Sequence, residues 1–388
     1  MINLVGQYHK IKDEIDSAIS QILESGAFIN GPAVKEFTEN LAAYLKQTSK
    51  GVNSEDDIYV VPCANGTDAL QIALMTLGLK PGDEVLVPAF TYVASAEVIG
   101  LLGLTPVMVD VNRATFNVTA ENLRKGLSPK TRAIIPVHLF GQSCDMEPIL
   151  QFALENKLFV IEDNAQAIGA EYTFSNGKVA KTGTMGTIGC TSFFPTKNLG
   201  AFGDGGALFL KDVSLAEKAR MIANHGQRIK YHHSVIGCNS RLDTIQAAIL
   251  NIKLKHLDQY CAARSKAARY YTAKLKELDP KEQFLETPAE LPTSTHVYHQ
   301  YTLRVKGNKR DTLKQYLADQ GIPSMIYYPL PLQEQEAFKP ITRSAENLSI
   351  SKELSESVLS LPIDTEITSQ QQDCVIDAIR CFFSKEKL

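Results

Sequence analysis

The sequence predicts an α/β fold with a mostly parallel sheet and a smaller C-terminal α+β domain, and two observations predict the sheet. Between residues 58 and 163, short β-branched runs alternate with helix-like segments of about ten residues or more. The runs are apolar almost throughout, which is typical of strands covered by helices on both faces. They are IYVV at 58–61, EVLVP at 84–88, PVMVDV at 106–111, RAIIPVHL at 132–139 and LFVIED at 158–163, followed by IGCTSFF at 188–194 and GGALFL at 205–210.

Two amphipathic helices are predicted ahead of the sheet. Apolar residues recur at helical spacing in the first, at Ile11, Ile15, Ala18, Ile19 and Ile22, and Gly26 stands where a C-terminal cap is expected. The second follows the Gly31-Pro32 break and carries Val34, Phe37, Leu41, Tyr44 and Leu45. We expect the two helices to form an arm ahead of the main domain. Residues 1–30 are assigned to the arm and 31–260 to a large domain.

The first helix inside the sheet region has recognisable ends. Asn65 or Thr67 is expected to cap its N-terminus, and Gly78 stands near its end. Pro81-Gly82-Asp83 then forms the turn into the next strand. Much further along the chain, a long helical pattern starts near Ser240.

A composition shift at 285–296, where Pro, Thr and Glu interrupt the helical pattern, leads into a second unit. Beyond it, Tyr301, Leu303 and Val305 alternate with polar residues, which predicts a half-exposed antiparallel strand. A helix (310–319), a strand (322–328) and a last helix (369–383) complete the pattern. Residues 261–388 are therefore assigned to a small α+β domain.

Composition excludes several classes of protein. Of the 388 residues, 44% are hydrophobic and 21% are charged, which is ordinary for a globular chain. Forty Lys and Arg face 43 Asp and Glu, so a net charge of −3 argues against a nucleic-acid or membrane-surface partner. No run reaches the roughly 18 apolar residues of a membrane span, and the N-terminus lacks a signal-peptide layout. The seven scattered cysteines contain no CxxC pair, so we expect reduced thiols, no metal site and a cytoplasmic location.

Candidate chemistry follows the ends of the predicted strands, where ligands bind in open α/β sheets. Cys63–Leu70, CANGTDAL, opens a helix whose free amides and dipole suit a phosphate, with Gly66 permitting close approach and Thr67 adding a hydroxyl. Taken alone, such a turn is more often an ordinary helix cap. Tyr92, after EVLVPAF, offers a ring on which a planar group can stack, although a core or loop aromatic is the plainer interpretation.

Two charged residues complete this set. Asp163 ends an apolar strand, where a carboxylate requires a cationic partner such as a pyridinium N–H. Lys197 follows a strand that ends in two Phe and a Pro, although most lysines are solvated surface residues. Partial desolvation there would lower its pKa, as a lysine that forms a Schiff base requires. A phosphate cradle, a stacking aromatic, a strand-end Asp and a buried Lys are the parts of a pyridoxal phosphate site.

Six segments resemble the DegT/DnrJ/EryC1/StrS family of nucleotide-sugar aminotransferases, which share the aspartate aminotransferase-like fold of type I pyridoxal phosphate enzymes. They are CANGTDAL, GDEVLVPAFTYVASAEVI, PVHLFGQ, IEDNAQAIGA, SFFPTKNLGAFGDGGA and GCNSRLDTIQAAIL. The resemblance runs from the N-terminus to about residue 330, in the family's order and spacing. Within the family, the sequence of these segments is most similar to that of the branch that aminates C3 of UDP-linked 3-keto-hexuronic acids.

The resemblance implies a role for each matching residue. Lys197 would bind the cofactor covalently and shuttle the proton, and Asp163 would keep the pyridine nitrogen protonated. Tyr92 would stack on the ring, with Gln166 beside the ring or its hydroxyl. The remaining cofactor contacts would come from Gly66, Thr67 and Ser192 at the phosphate and from Asn239 of a neighbouring subunit. The implied assembly is a homodimer with shared sites that uses pyridoxal 5'-phosphate, L-glutamate and a keto-sugar nucleotide.

Substrate residues are less sharply defined by the sequence. Arg241 would grip a sugar carboxylate in the uronate branch, but related enzymes for neutral sugars also carry an arginine here, and a structural ion pair is an equal alternative. His299 and Tyr328 are further candidates from the C-terminal unit. The loop with His225, Tyr231, His232 and His233 either contacts the nucleotide or is solvated. Asn164 departs from the family's usual Ala but leaves its neighbours Asp163 and Gln166 in place.

Four alternative functions compete with this assignment. One is the same chemistry on a dTDP- or UDP-4-keto-6-deoxy sugar. A sugar dehydratase on this fold would carry histidine in place of Lys197. A nicotinamide oxidoreductase would place GxGxxG after the first strand, and none stands there. A regulatory protein that merely keeps the fold is disfavoured by the retained Lys197 and Asp163.

Overall fold

A computed structural model describes residues 1–51, 56–345 and 347–385. The strands of these ranges are β1 (Tyr59–Cys63), β2 (Glu84–Pro88), β3 (Thr105–Val109), β4 (Thr131–Ile134), β5 (Phe159–Asp163), β6 (Glu171–Thr173), β7 (Val179–Lys181), β8 (Ile188–Ser192), β9 (Gly206–Leu210), β10 (Gln227–Ile229), β11 (His232–His233), β12 (Leu285–Glu286), β13 (Tyr301–Val305), β14 (Arg343–Ser344) and β15 (Val358–Leu361).

The helices are α1 (Leu4–Lys10), α2 (Lys12–Ser25), α3 (Pro32–Lys46), α4 (Gly66–Leu77), α5 (Ala94–Leu101), α6 (Ala120–Gly126), α7 (Met146–Glu155), α8 (Val213–Ala223), α9 (Thr244–Leu254), α10 (Leu257–Leu278), α11 (Arg310–Asp319), α12 (Ser349–Ser357) and α13 (Ser369–Lys385). Short 3₁₀ turns lie at Leu139–Gly141 and Leu332–Glu334. In the described ranges, no helix is both long and apolar enough to cross a bilayer.

The main sheet has eight strands in the order β1-β9-β8-β5-β4-β2-β3-β14. From β8 to β14 every neighbouring pair is parallel, whereas β9 runs antiparallel to both β8 and β1. This confirms the predicted mostly parallel sheet. Because β1 and β8 both oppose β9, they point the same way as β5, and their carboxyl ends lie at one edge.

Local sequence accounts for several element boundaries. Asn65 caps α4 by accepting a hydrogen bond from the amide of Asp68 at 2.8 Å, and Gly78 ends that helix with a left-handed φ of 72°. Gly26 ends α2 in the same way, as predicted. Strand β4 is shorter than the predicted 132–139 run because Pro136 has no N–H to donate, although Val137 still forms a bridge to Asp163 before the 3₁₀ turn that begins at Leu139.

The second of the two helices expected to form an N-terminal arm does not stand apart from the main domain. Helix α3 is packed into the body of the protein, where Phe37, Leu41 and Leu45 join a buried cluster with residues of β9 and α9. Phe37 is fully buried, and its ring meets that of Phe193 edge-on, with centroids 5.3 Å apart. Helix α2 contributes Ile15 to a smaller cluster against α9.

The C-terminal region differs from the prediction in two elements. Strand β13 is antiparallel to β12 and β15 as expected, but it is buried on both faces. Its polar face is covered because Arg304 forms ion pairs with Glu286 and Glu353. The predicted strand at 322–328 is wrong, since only Met325 forms a bridge, to Ser360.

The assigned boundary at residue 261 separates the chain less cleanly than the sequence pattern indicated. A second core forms between the β12-β13-β15 sheet and helices α10, α11 and α13. However, β14 joins the main sheet beside β3, and Leu332, Phe338 and Leu354 pack into the main core. Part of the assigned C-terminal unit therefore covers the large sheet, and its last residues, 386–388, lie outside the described ranges.

Candidate active site

Pairing in the main sheet brings distant segments of the chain together at one edge. Gly206, the first residue of β9, is paired with Cys63 on one side and with Ser192 on the other. Asp163, at the end of β5, is paired with Cys190 of β8. The candidate segments that follow β1, β5 and β8 therefore meet at this edge, as expected for an open α/β sheet.

The start of α4 forms a cradle suited to a phosphate. The Asn65 side chain accepts a hydrogen bond from the amide of Asp68, and the Asn65 backbone carbonyl accepts one from the amide of Ala69 at 3.1 Å. The amides of Gly66 and Thr67 come first in the helix, where no helical carbonyl can accept from them. A Cβ on Gly66 would lie 2.7 Å from the Cβ of Ser192, so glycine is required for this close approach. Free amides, a helix dipole and neighbouring hydroxyls fit an anion.

Lys197 lies in the turn after β8, where its amide donates to the carbonyl of Phe194 at 2.8 Å. Burial lowers the pKa of its amine to about 8, although the nearby charge of Asp163 acts in the opposite direction. The next residue, Asn198, is buried and anchors the turn by donating from Nδ2 to the carbonyl of Val297 at 3.0 Å. A fixed lysine with a lowered pKa can act as a nucleophile near neutral pH.

Asp163 is buried, 5% exposed, and each of its oxygens accepts a hydrogen bond. The hydroxyl of Ser95 donates to Oδ2 at 2.8 Å, and the amide of Ala165 donates to Oδ1 at 3.1 Å. Ser95 was missed from sequence. The only available signal was a small hydroxyl residue in the first turn of α5, just after the EVLVP strand and Tyr92.

Gln166 is held from two sides. Its Oε1 accepts from the amide of Phe140 at 2.7 Å, and its Nε2 donates to the hydroxyl of Tyr328 at 3.1 Å. Tyr328 thus connects the C-terminal region to the sheet edge, and burial raises the pKa of its phenol. The backbone of Phe140 has a left-handed φ of 58°, which is unfavourable for a side chain of this size.

The aromatic segment after β2 divides into a buried and an exposed part. Phe90 is buried and packs against Tyr328, with ring centroids 6.1 Å apart. Tyr92 is 55% exposed, with its ring centroid 6.2 Å from that of Tyr328 at an interplanar angle of 43°. Tyr92 therefore offers a free ring face at the edge where Lys197 and Asp163 meet.

His299 lies in the buried wall near Lys197. Burial, reinforced by the positive charges of Lys197 and Arg264, holds the pKa of its imidazole well below the ordinary value. Within the described ranges, its Nδ1 is buried and has no hydrogen-bond partner. His299 is thus a neutral imidazole with an unused polar atom near the lysine.

Several other predicted site residues do not lie at this edge of the sheet within a single chain. Asn239 is exposed, although its neighbour Ser240 is anchored. The Ser240 amide donates to the carbonyl of Ala223 at 2.9 Å, and its Oγ accepts the amide of Ala64 at 3.0 Å. Arg241 is half-buried and, in the part of the chain that the structure describes, forms no ion pair. The loop with His225, Tyr231, His232 and His233 projects as the exposed hairpin β10–β11.

Asn164 is fully buried behind Asp163. Its Nδ2 donates to the carbonyl of Thr182 at 3.0 Å, while its Oδ1 has no partner in the described chain. The extra amide, compared with the usual alanine, therefore ties the strand end to the turn after β7.

A phosphate cradle, an amine of lowered pKa and a buried carboxylate at one sheet edge form a site that fits pyridoxal phosphate. Fold and site define the class, a pyridoxal phosphate enzyme with the aspartate aminotransferase-like architecture.

Comparisons with known proteins agree with this class. Residues 9–380 match the DegT/DnrJ/EryC1/StrS aminotransferase family, so the chain belongs to that family. It is 43% identical to the "Pleiotropic regulatory protein" of Geobacillus stearothermophilus, over 99% of this chain and 98% of that protein. It is 41% identical to the UDP-2-acetamido-2-deoxy-3-oxo-D-glucuronate aminotransferase of Pseudomonas aeruginosa, over 93% of this chain and 94% of that protein.

A solved structure of NtdA from Bacillus subtilis with bound cofactor PMP is also similar. It has a TM-score of 0.84 and 31% sequence identity, over 95% of this chain and 81% of that chain. Further relatives are named as aminotransferases of UDP- and dTDP-linked sugars, and one is named as a GDP-perosamine synthase. The protein is therefore a pyridoxal phosphate-dependent sugar-nucleotide aminotransferase, whose substrate the relatives do not specify.

Proposed function

We propose that the protein transfers an amino group from L-glutamate to the keto group of a UDP-linked 3-keto-hexuronic acid, in surface-polysaccharide or amino-sugar biosynthesis. The observation that carries the catalytic part is the desolvated Lys197 amine beside the buried Asp163 carboxylate. The two half-reactions follow in turn, with glutamate loading the amino group and the sugar accepting it.

In this proposal each side chain has one task. Pyridoxal phosphate supplies an electron sink when it is bound. Lys197 holds the cofactor and, once released from it, moves the proton at the substrate carbon, which its pKa of about 8 permits near neutral pH. Asp163 holds a proton on the pyridine nitrogen, while Ser95 and the amide of Ala165 orient its carboxylate.

The remaining contacts orient the cofactor. Gly66, Thr67 and Ser192 would receive its phosphate at the start of α4, where the free amides lie. Tyr92 would stack on one face of the ring, and Gln166 would lie beside the ring or its hydroxyl, held by Tyr328.

We further propose that two copies of the chain complete each site. Exposed apolar side chains flank the Lys197 turn, with Phe194 49% and Phe202 41% exposed, and Phe28 and Ile29 are similarly uncovered. A second subunit would cover them, and its Asn239 would reach the cofactor phosphate. To test this, Asn239→Ala subunits are mixed with Lys197→Ala subunits. Recovered activity supports shared sites, and none despite mixed-dimer formation contradicts them.

Arg241 is suited to a uronate, although an arginine at this position does not by itself distinguish uronates from neutral sugars. It is a half-buried cation without an ion pair in the described ranges, so a sugar carboxylate can provide its counter-charge. His299 and Tyr328 are the other candidates for sugar contacts. The name of the Pseudomonas aeruginosa relative favours the same substrate class, while other relatives' names keep dTDP- and UDP-linked neutral keto sugars as the second candidate.

The decisive experiment is a glutamate-dependent assay on UDP- and dTDP-linked 3-keto and 4-keto sugars, with and without a C6 carboxylate. We expect preference for the UDP-linked 3-keto-uronate and a larger loss on that substrate than on a neutral one after Arg241→Ala. An equal loss on both excludes selective carboxylate recognition.

Cofactor attachment is tested separately by borohydride reduction and peptide mapping. We expect the label on Lys197 and nearly complete loss of transfer in Lys197→Ala. Lys253 is a matched control, because burial also lowers its pKa to about 8 but it lies on α9 against Phe202. Label on Lys253, or substantial turnover by Lys197→Ala, would place the chemistry elsewhere.

A further inference from the structure

Directly behind Asp163 lies a buried carboxylate that the proposed chemistry does not use. Glu162 is fully buried and accepts four N–H groups. Three come from one turn, with the amides of Met185 and Gly186 donating to Oε1 at 2.6 Å each and that of Gly183 donating to Oε2 at 2.8 Å. The fourth is Nε2 of the fully buried His138, 2.8 Å from Oε2.

The hydrogen bonds assign the protonation of this pair. Nδ1 of His138 lies 3.1 Å from the amide nitrogen of Cys144, which can only donate, so Nδ1 carries the lone pair. The proton of a neutral ring is then on Nε2, pointing at Glu162. Burial acts to raise the pKa of Glu162, but the hydrogen bond from His138 and those from the backbone amides outweigh it and hold the pKa below its ordinary value. Glu162 is therefore a carboxylate with every contact satisfied.

The segment that carries His138 also holds both candidate cofactor residues. The amide of His138 donates to the carbonyl of Asp163 at 3.0 Å, and the amide of Asp163 donates to the carbonyl of Pro136 at 2.9 Å. Two residues after His138, the left-handed Phe140 aims its amide at Gln166. Fixing the His138 ring thus fixes the backbone groups that place Asp163 and Gln166.

We propose that Glu162 and His138 form a positioning pair for the cofactor: the Glu162 carboxylate holds the His138 ring, and the His138 segment holds Asp163 and Gln166 against the pyridine ring. This rests on the proposed roles of Asp163 and Gln166. The pair acts through backbone contacts and does not itself touch the cofactor. A carboxylate is required at position 162 because its two oxygens accept from four N–H donors. The side-chain amide of a glutamine would place its own N–H₂ group opposite two of those donors, which cannot accept a hydrogen bond.

The test compares Glu162→Gln with Glu171→Gln. Glu171 is a matched control, because it is also a buried carboxylate, paired with Lys181 at 3.1 Å and with Ser49, but it lies on β6 away from the sheet edge. For each variant, the unfolding temperature of the cofactor-free protein and the Kd for pyridoxal phosphate are measured. The pH midpoint of the visible band of the bound cofactor is recorded as well.

Both variants are expected to lower the unfolding temperature. Only Glu162→Gln is expected to weaken cofactor binding by about tenfold or more, the size of effect produced by removing the supports of a binding group. It should also raise the pH midpoint of the visible band. A displaced Asp163 stabilises the positive charge on the pyridine nitrogen less. Because that positive charge disfavours a proton on the Lys197 nitrogen, its weakening lets the proton stay to higher pH. His138→Phe should reproduce the effect, and the double variant should lose little more.

A Kd and a midpoint equal to those of Glu171→Gln would overturn the positioning role. If Glu162→Gln does not fold, Glu162→Asp, which keeps the charge, is judged by the same two readouts. Failure of the proposed function is distinguishable, because the parent protein would then carry no reducible cofactor on Lys197.

Discussion

Replacing Gly66 with alanine tests the phosphate cradle most directly. The added Cβ would lie 2.7 Å from the Cβ of Ser192, whereas non-bonded carbons prefer about 3.5–4.0 Å. The two backbones must therefore separate by about 1 Å. Ser192 cannot retreat easily, because all five residues of β8 are buried, so the start of α4 is expected to move.

Two free energies of opposite sign determine the stability of this variant. Overpacking costs about 1–3 kcal/mol, and replacing a helical glycine with alanine returns up to about 1 kcal/mol. The net loss of unfolding free energy is then about 0–3 kcal/mol. Cofactor binding suffers more, since misplacing one amide bonded to a charged phosphate costs about 1.5–3 kcal/mol, or roughly tenfold or more in Kd.

The assay titrates cofactor-free protein with pyridoxal phosphate and follows the visible band. Gly6→Ala is the control, because Gly6 also lies in the first turn of a helix but its added Cβ would meet only the flexible Asn3 side chain. A Gly66→Ala protein whose Kd stays within about twofold of the control would refute the assignment of the cradle.

Three further predictions follow from the same structure. In the cofactor-free protein, Lys197 should react with an amine reagent, and its reactivity should rise as the pH passes its pKa of about 8. Exposed lysines respond near pH 10.4. A midpoint near pH 10 for Lys197 contradicts its desolvation. Ser95→Ala removes a hydrogen bond to the buried Asp163 carboxylate, a loss of about 1.5–3 kcal/mol, and should weaken cofactor binding about tenfold or more. Ser355→Ala, which removes a buried hydroxyl elsewhere, is the control. Equal Kd values for the two variants argue against the Asp163 contact. Phe37→Ala should lower the free energy of unfolding by about 3–5 kcal/mol in denaturant titrations, and a loss below about 1 kcal/mol would restore the interpretation of α3 as an arm.

Sequence pattern was sufficient for the parts of the fold that local chemistry determines. Apolar runs identified seven of the eight described strands of the main sheet because helices cover both of its faces, whereas β14, Arg343–Ser344, has no apolar run and was missed. The ends of α2 and α4 followed from Gly26 and Gly78, whose left-handed φ angles suit glycine. The prediction failed where distant contacts decide the outcome, as at β13, whose polar face is buried only because Glu286 and Glu353 neutralise Arg304.

The candidate site divides in the same way. Lys197 and Asp163 were recognisable because a charged residue directly after an apolar strand is unusual. No comparable signal marked Ser95, His138 or the amide of Phe140, since each acts through a hydrogen bond to a residue at least 24 positions away. Asn239 and Arg241 are unresolved for another reason. Their proposed partners, a second subunit and a substrate, lie outside a single chain.

The order β1-β9-β8 has a consequence for how the protein is made. Within the described ranges, β1 is paired in the main sheet only with β9, although the chain builds five further strands of that sheet before β9. Strand β1 must therefore wait for Leu210 to leave the ribosome before its edge is satisfied. Because Gly206 joins Cys63 to Ser192, the phosphate cradle closes only at that step. Cofactor capture by nascent chains of increasing length should begin only after β9 has emerged, which would make the cofactor a reporter of the moment when β9 pairs with β1 and β8.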